Sequence, residues 1–160
     1  MMAPGQEAAV RAQVIVEAPV ARAFAVFTEG IGTWFPPEYN ILAVPIAERV
    51  FEPHVGGRVY DRGVDGSQCQ WGRVLVYEPP QRVVISWDIS PRWQIETDLA
   101  KTSEVEVRFI AETPNRTRVE LEHRRLERHG EGWEHMRDAV SGEGGWPGAL
   151  LKFAERLSRP

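Results

Sequence analysis

The sequence predicts an α+β domain. A curved antiparallel sheet of about seven strands wraps around a long C-terminal helix, with two short helices after strand one. Three observations carry this reading. Near the end, Trp146, Ala149, Leu150, Phe153, Ala154 and Leu157 follow the i, i+3, i+4, i+7, i+8, i+11 series of one helix face, while Lys152, Glu155 and Arg156 take the other. Before it, two segments alternate strictly between polar and apolar residues, the pattern of an antiparallel sheet with one face on the core. Between residues 46 and 123 nearly everything reads as strand broken by turn signals. One helix cannot cover a flat sheet of that size. A sheet curled around it can bury both apolar faces, and it leaves a cavity between them.

The elements follow in order. Gln13–Glu17 is β-rich and reads as strand one; Pro19 stops it and opens a helix in which Val20, Phe24 and Phe27 share a face. Gly30 and Gly32 break that helix, and Ile31, Trp34 and Phe35 form a short second helix or turn before Pro36-Pro37. A loop from Glu38 to Pro45 leads into the strand region. The predicted strands are Ile46–Glu52, Arg58–Asp61, Gln70–Tyr77, Arg82–Ile89, Ser103–Ala111 and Thr117–His123. Between them lie the turn at residues 53–57, the Asp65-Gly66 hairpin signal, Glu78-Pro79-Pro80, Ser90-Pro91 and Thr113-Pro114-Asn115. Residues 92–101 are polar and irregular. Val105, Val107 and Phe109 face the core and Glu104, Glu106 and Arg108 face solvent; Val119, Leu121 and His123 repeat the pattern against Arg118, Glu120 and Glu122. A charged stretch from Arg124 to Glu131 leads to Trp133, Met136 and Val140 at helical spacing, and a break at Ser141–Gly145 precedes the final helix. Pro147 suits its first turn, and roughly 12 residues give a rod of about 18 Å.

At 160 residues the chain is long enough for one domain with a real core, expected over residues 13–158 behind a flexible tail at residues 1–12. The net charge of −4 and pI near 5.6 argue against a nucleic-acid platform, and the basic residues are 17 Arg and 2 Lys, which reads as coding bias before phosphate recognition. No apolar run is long enough to span a membrane. Residues 1–12 contain Glu7 and Arg11 and lack the apolar core of a secretion signal. Cys69 is the single cysteine, so no internal disulfide forms and a reducing cytoplasm is expected.

Four pieces of the chain resemble the helix-grip fold of the START-like (SRPBCC) superfamily, which includes the birch-pollen-allergen proteins. Within it, they are similar to the family named for the activator of heat-shock-protein-90 ATPase. They are Val14-Ile15-Val16-Glu17-Ala18-Pro19-Val20 with Ala23-Phe24 and Phe27, and Val55-Gly56-Gly57-Arg58-Val59-Tyr60. The third runs from Trp71-Gly72-Arg73-Val74-Leu75 through Tyr77-Glu78-Pro79-Pro80 to Val83-Val84-Ile85-Ser86-Trp87, and the fourth is Gly145-Trp146-Pro147 with Leu150-Leu151. They span nearly the whole chain in order. The resemblance implies an internal hydrophobic pocket, no cofactor and no shared catalytic motif, so no catalytic residue carries over. Relatives include ligand carriers, polyketide cyclases, self-sacrificing resistance proteins and chaperone cofactors. No further amino-terminal domain of the chaperone-cofactor kind is expected here, so the family name carries no chaperone assignment.

The candidate cavity lining is Trp34, Tyr60, Trp71, Trp87, His123, Trp146, Leu150 and Phe153, because aromatic side chains at sheet and helix positions both fill cores and line pockets. His123, Tyr60 or Arg58 would orient a polar group of the ligand. His123, His129 and His135 recur every six residues, which fits neither a helix face nor a strand, so no metal site is expected. Asp61 and Asp88 end strands beside aromatic residues; convergence of either with His123 inside the pocket would favour acid–base chemistry. Cys69 has no basic neighbour in sequence to activate it. The glycines at 142, 144, 145 and 148 precede no Lys-Ser/Thr pair and are helix-boundary residues, not a phosphate loop.

The expected function is binding of a small apolar or aromatic molecule between sheet and helix, with no nucleic-acid or membrane partner. An aromatase- or cyclase-type enzyme acting on a polyketide-like substrate is the first alternative. A chaperone-cofactor-like or stress-response interaction protein, docking through the charged stretch 124–131, is the second. Edge strands offer a route to pairing, and the sequence ranks no oligomeric state.

Overall fold

The computed structural model describes residues 9–159. Seven strands form one antiparallel sheet: β1 (Val10–Val16), β2 (Ile46–Phe51), β3 (Arg58–Gly63), β4 (Gln68–Glu78), β5 (Arg82–Trp87), β6 (Ser103–Thr113) and β7 (Arg116–Arg124). Their order across the sheet is β1-β7-β6-β5-β4-β3-β2. Helix α1 spans Val20–Phe27, α2 Trp133–Ser141 and α3 Trp146–Leu157, with single 3-10 turns at Ile31–Thr33, Leu99–Lys101 and Leu126–His129. This is the expected α+β helix-grip architecture.

The chain closes on itself through β1. Val10 pairs with His123, Val14 with Val119 and Val16 with Thr117, so the first and last strands lie side by side. The strand starts at Val10 instead of Gln13. Residues 10–12 therefore belong to the sheet and not to the expected tail, because β7 offers them a complete ladder; residues 1–8 of that tail lie outside the described residues. Of the two helices expected after strand one, the second is a single 3-10 turn: Gly30 and Gly32 flank Ile31, and Pro36 follows too soon for another α-turn.

The C-terminal helical region is bent. Helices α2 and α3 are separated at Gly142–Gly145, and a Cβ on Gly145 would collide with the Val140 carbonyl, so only glycine admits that approach. Val140, Trp146, Ala149, Leu150, Phe153 and Leu157 are all buried against the concave face of the sheet. At the far end of α3, Arg22 on α1 donates to the carbonyls of Leu157 (3.0 Å) and Arg159 (2.8 Å), satisfying acceptors that the end of a helix leaves open.

The convex face carries the expected Glu/Arg alternation, yet it is not simply solvated. Glu106 is buried beneath Arg82, Arg108 and Arg124, while Arg118 pairs with Glu112 and Glu120. The charged stretch after β7 also turns partly inward: Leu126 and His129 are buried, and Arg124 bonds Glu104 and Glu106. The 3-10 turn puts Leu126 and His129 on the protein, while Arg125, Glu127, Arg128 and Glu131 stay exposed.

A candidate ligand cavity and its buried polar supports

Two groups of rings fill the space between sheet and helix. Under the C-terminal half of α3 lie Phe24, Phe27, Trp34, Phe109 and Phe153. Phe153 sits 5.2 Å from Phe27 and 5.1 Å from Trp34, centroid to centroid, and Phe27 lies 5.6 Å from Phe109. These are edge-on or tilted packings of a closed core. Under the N-terminal half lie Phe35, Trp71, Trp87 and Trp146. Here Trp71–Trp87 and Trp87–Trp146 are 5.8 and 5.7 Å apart, and a cavity of about 330 Å³ opens beside them. Ile41, Ile89, Val140 and Ala149 add apolar wall, and Trp93, 40% exposed, lies at the rim. Trp93 holds φ = 59°, a backbone conformation that bulky side chains rarely adopt.

Sheet irregularity aims Trp71. Across β3 and β4, Val59 pairs with Gly72 and Tyr60 with Gln70, so Trp71 is the unpaired residue of a bulge. A bulge bends its strand and re-aims one side chain. The inward parity set by Cys69 and Trp71 passes to Val74 beyond it.

Behind the rings are two buried polar clusters. In the first, the Asp61 carboxylate accepts from Arg49 Nε (2.8 Å) and Trp71 Nε1 (3.1 Å) on Oδ1, and from Arg49 Nη2 (3.2 Å) on Oδ2. Both charged side chains are almost fully buried, at 3% and 2% exposure. Arg49 also donates to the carbonyls of Phe35 and Pro36 through Nη1, both at 3.2 Å, and to that of Tyr39 through Nη2 at 2.8 Å. One guanidinium therefore ties the loop that forms the cavity rim to strands β2 and β3. Asp61 itself lines the cavity. Its neighbour Cys69 has a thiol pushed up to about 11 by burial and by the Asp61 charge, so it stays protonated and unreactive.

In the second cluster, Trp146 Nε1 donates to His123 Nδ1 (3.1 Å), and Ser103 Oγ lies 2.8 Å from His123 Nε2 and 2.7 Å from His129 Nε2. The indole can only donate, so His123 Nδ1 is an acceptor and its proton sits on Nε2. Nε2–H then donates to Ser103 Oγ, whose own hydrogen goes to His129 Nε2. Every tautomer in the chain is determined by its first donor. Burial drives His123 down to about 3, with His129 adding to the effect, and burial likewise lowers His129. Both imidazoles are neutral near pH 7. His129 Nδ1 ends the chain without a partner among the described residues.

The eight residues expected to line the cavity divide accordingly. Trp71, Trp87 and Trp146 form its wall. Trp34, Leu150 and Phe153 lie in the closed core, where α1 covers them. His123 is wholly buried behind Trp87 and Trp146, with ring centroids 5.2 and 6.1 Å away, and does not reach the space. Tyr60 alternates with inward Val59 and Asp61, so it points to the convex side, where the Arg58 guanidinium stacks 4.5 Å from its ring centroid; neither residue can orient a ligand. His123 bonds neither Asp61 nor Asp88, which pairs with Arg73 instead. Phe35, Tyr39 and Arg49 were missed. Arg49 was discoverable: in the antiparallel pair, counting back two residues on β2 and forward two on β3 from the Phe51–Val59 pair puts it opposite Asp61. No group of three or more metal-ligating side chains occurs among the described residues, and no helix there is long and apolar enough to cross a membrane.

The family model described as activator of Hsp90 ATPase homolog 1-like protein matches residues 17–158, and the chain belongs to that family. No curated protein matches the sequence. Among solved structures, an anthrahydroquino-gamma-pyrone synthase, Txn09, is similar over 92% of this chain and 96% of its own, with 39% identity and a TM-score of 0.66. The self-sacrificing resistance protein CalC from Micromonospora echinospora is 27% identical over 95% of each chain, with a TM-score of 0.67. Protein NE0264 from Nitrosomonas europaea, 12% identical over 99% of each chain with a TM-score of 0.68, shares the fold alone. The fold is the helix-grip fold of the START-like superfamily, shared with that synthase and that resistance protein.

Proposed function

We propose that this member of the family binds a small, mostly apolar aromatic molecule in the cavity beside the N-terminal half of α3. The observation that carries the reading is the about 330 Å³ space walled by Trp71, Trp87, Trp146 and Phe35. Small-molecule sites occupy roughly 300–1,000 Å³ and combine apolar walls with a few fixed polar groups. Burying roughly 300 Å² of ligand surface contributes about 7 kcal/mol at about 25 cal/mol per Å². The loss of translational and rotational freedom offsets much of that, which leaves about 4 kcal/mol or less and makes affinity near the millimolar range the expected one. A thermal-shift screen of two- and three-ring aromatic compounds, followed by native mass spectrometry, tests it. Compounds of that size should raise the melting temperature and bind one per chain. A flat response across the set overturns the reading.

Chemistry on the bound molecule is a second reading, favoured by the 39% identity with a synthase over nearly the whole chain. His123 is a poor acid–base candidate, since its ring is sealed behind two tryptophans and both nitrogens are engaged. Asp61 is the carboxylate that lines the cavity from within the core. Incubation with a linear polyketide-like substrate and mass analysis of cyclised product separates this from simple binding. A cytoplasmic location fits the free Cys69 thiol.

A further inference from the structure

We infer that the cavity selects aromatic molecules carrying a phenolic hydroxyl, and that the hydroxyl donates its hydrogen to Asp61. The inference rests on the binding reading above and names the ligand chemistry of that same site.

The argument begins with what the wall offers. Trp71, Trp146 and Asp61 are its fixed polar groups, together with Trp87. Trp71 Nε1 is turned onto Asp61 and Trp146 Nε1 onto His123, so neither donor serves the cavity. Trp87 Nε1 is sealed from the space and has no partner there. Asn40 spends its side chain on its own loop, donating to the Pro37 carbonyl and accepting from the Leu42 amide, and Glu38 sits on the exposed rim. Asp61 is different. Each carboxylate oxygen can accept about two hydrogen bonds. Oδ1 accepts two, from Arg49 and Trp71, whereas Oδ2 accepts one, from Arg49. The buried wall of the cavity therefore presents acceptor capacity in an apolar setting and no free donor, and the Tyr39 hydroxyl belongs to the half-buried rim loop. A molecule whose polar group only accepts meets no partner and loses its water. A hydroxyl on an aromatic ring gains a charge-assisted bond while the ring packs on the tryptophans.

Arg49 makes this acceptor usable. Its bidentate grip holds the carboxylate in place, and its three carbonyl contacts hold the rim loop closed around it. The ligand's hydroxyl thus meets a fixed group and not one that must reorganise.

Three probes of one ring system test it by fluorescence titration of the purified chain: 2-naphthol, 2-methoxynaphthalene and naphthalene. The first donates, the second only accepts, the third does neither. The expected result is 2-naphthol binding about tenfold more tightly than either of the others, the worth of one hydrogen bond to a charged group. That preference, read as the ratio of 2-naphthol to naphthalene affinity within each protein, should vanish in Asp61→Asn. Should the single variant fail to fold with Arg49 left unpaired, the double variant Arg49→Met/Asp61→Asn removes both charges together and gives the same readout. Equal affinity for 2-naphthol and 2-methoxynaphthalene in the wild type, or a hydroxyl preference that survives in both variants, overturns the inference and leaves the binding reading standing. If none of the three binds, the binding reading falls and this one with it.

Discussion

The two halves of helix α3 cover chemically similar rings and end in different states. Around Phe153 and Leu157 the space is closed; around Trp146 and Ala149 it holds a cavity. What differs is the lid. Over the closed half lies α1, a regular helix whose Ala23, Phe24 and Phe27 press apolar surface onto Phe109 and Phe153. Over the open half lie the loop from Phe35 to Ile41 and the strap that carries Trp93. A loop cannot interdigitate as a helix face does, because its backbone polar groups need partners. Here Arg49 supplies several of them, and a buried ion pair stands where a packed helix would otherwise sit. Rings held by a helix make core, whereas rings held by a loop on a polar hinge leave room for a guest.

Several substitutions break or sharpen that contrast. The largest effect is expected in the closed half: Phe153→Ala should cost about 3–5 kcal/mol in urea denaturation, since α1 cannot collapse into the void. A much smaller cost, with altered probe affinity, would move the cavity boundary toward α1. Arg49→Leu strands the Asp61 charge in the core and should cost a similar or slightly smaller amount, about 3–4 kcal/mol. It should also free the rim loop, seen as faster amide exchange at residues 35–41, while amides of α1 stay protected.

The histidine chain behind the open half predicts an intermediate, pH-dependent effect. His123 is held neutral in the fold down to about 3, but in the unfolded chain it takes up a proton below its ordinary value of 6.5. Between those two values the unfolded state binds more protons, so stability is complete above about pH 6.5 and falls as the pH drops toward 3. His129, lowered for the same reason, acts in the same direction. Denaturation midpoints measured from pH 7 to pH 4 should fall, and His123→Gln should flatten that slope while lowering stability at pH 7. A wild-type midpoint that does not change over this range would contradict the burial of both rings. The smallest effect is expected at Tyr60: Tyr60→Ser should leave probe affinity unchanged, because the side chain lies on the convex face.

Much of the architecture was legible in local pattern. Strict alternation in β6 and β7 identified their inward residues, and the apolar series in α3 identified every buried residue of that helix. The site was only partly legible. Trp71 reaches the cavity through a bulge, which moves one residue off the alternation and leaves no mark in hydropathy. Tyr60 was assigned inward on its aromatic character, although Val59 and Asp61 on either side hold the inward positions. Arg49 reads as a surface residue until β2 is paired with β3.

The sequence by itself determined most element types, the two faces of β6 and β7 and the apolar face of α3, because period and turn chemistry are local properties of the backbone. Only the tertiary structure decided where packing stops and a cavity begins. That boundary depends on which element lies over each half of α3, and on whether a buried guanidinium finds its carboxylate and three carbonyls at once. Both are relations between residues far apart in the chain, and no single stretch encodes them.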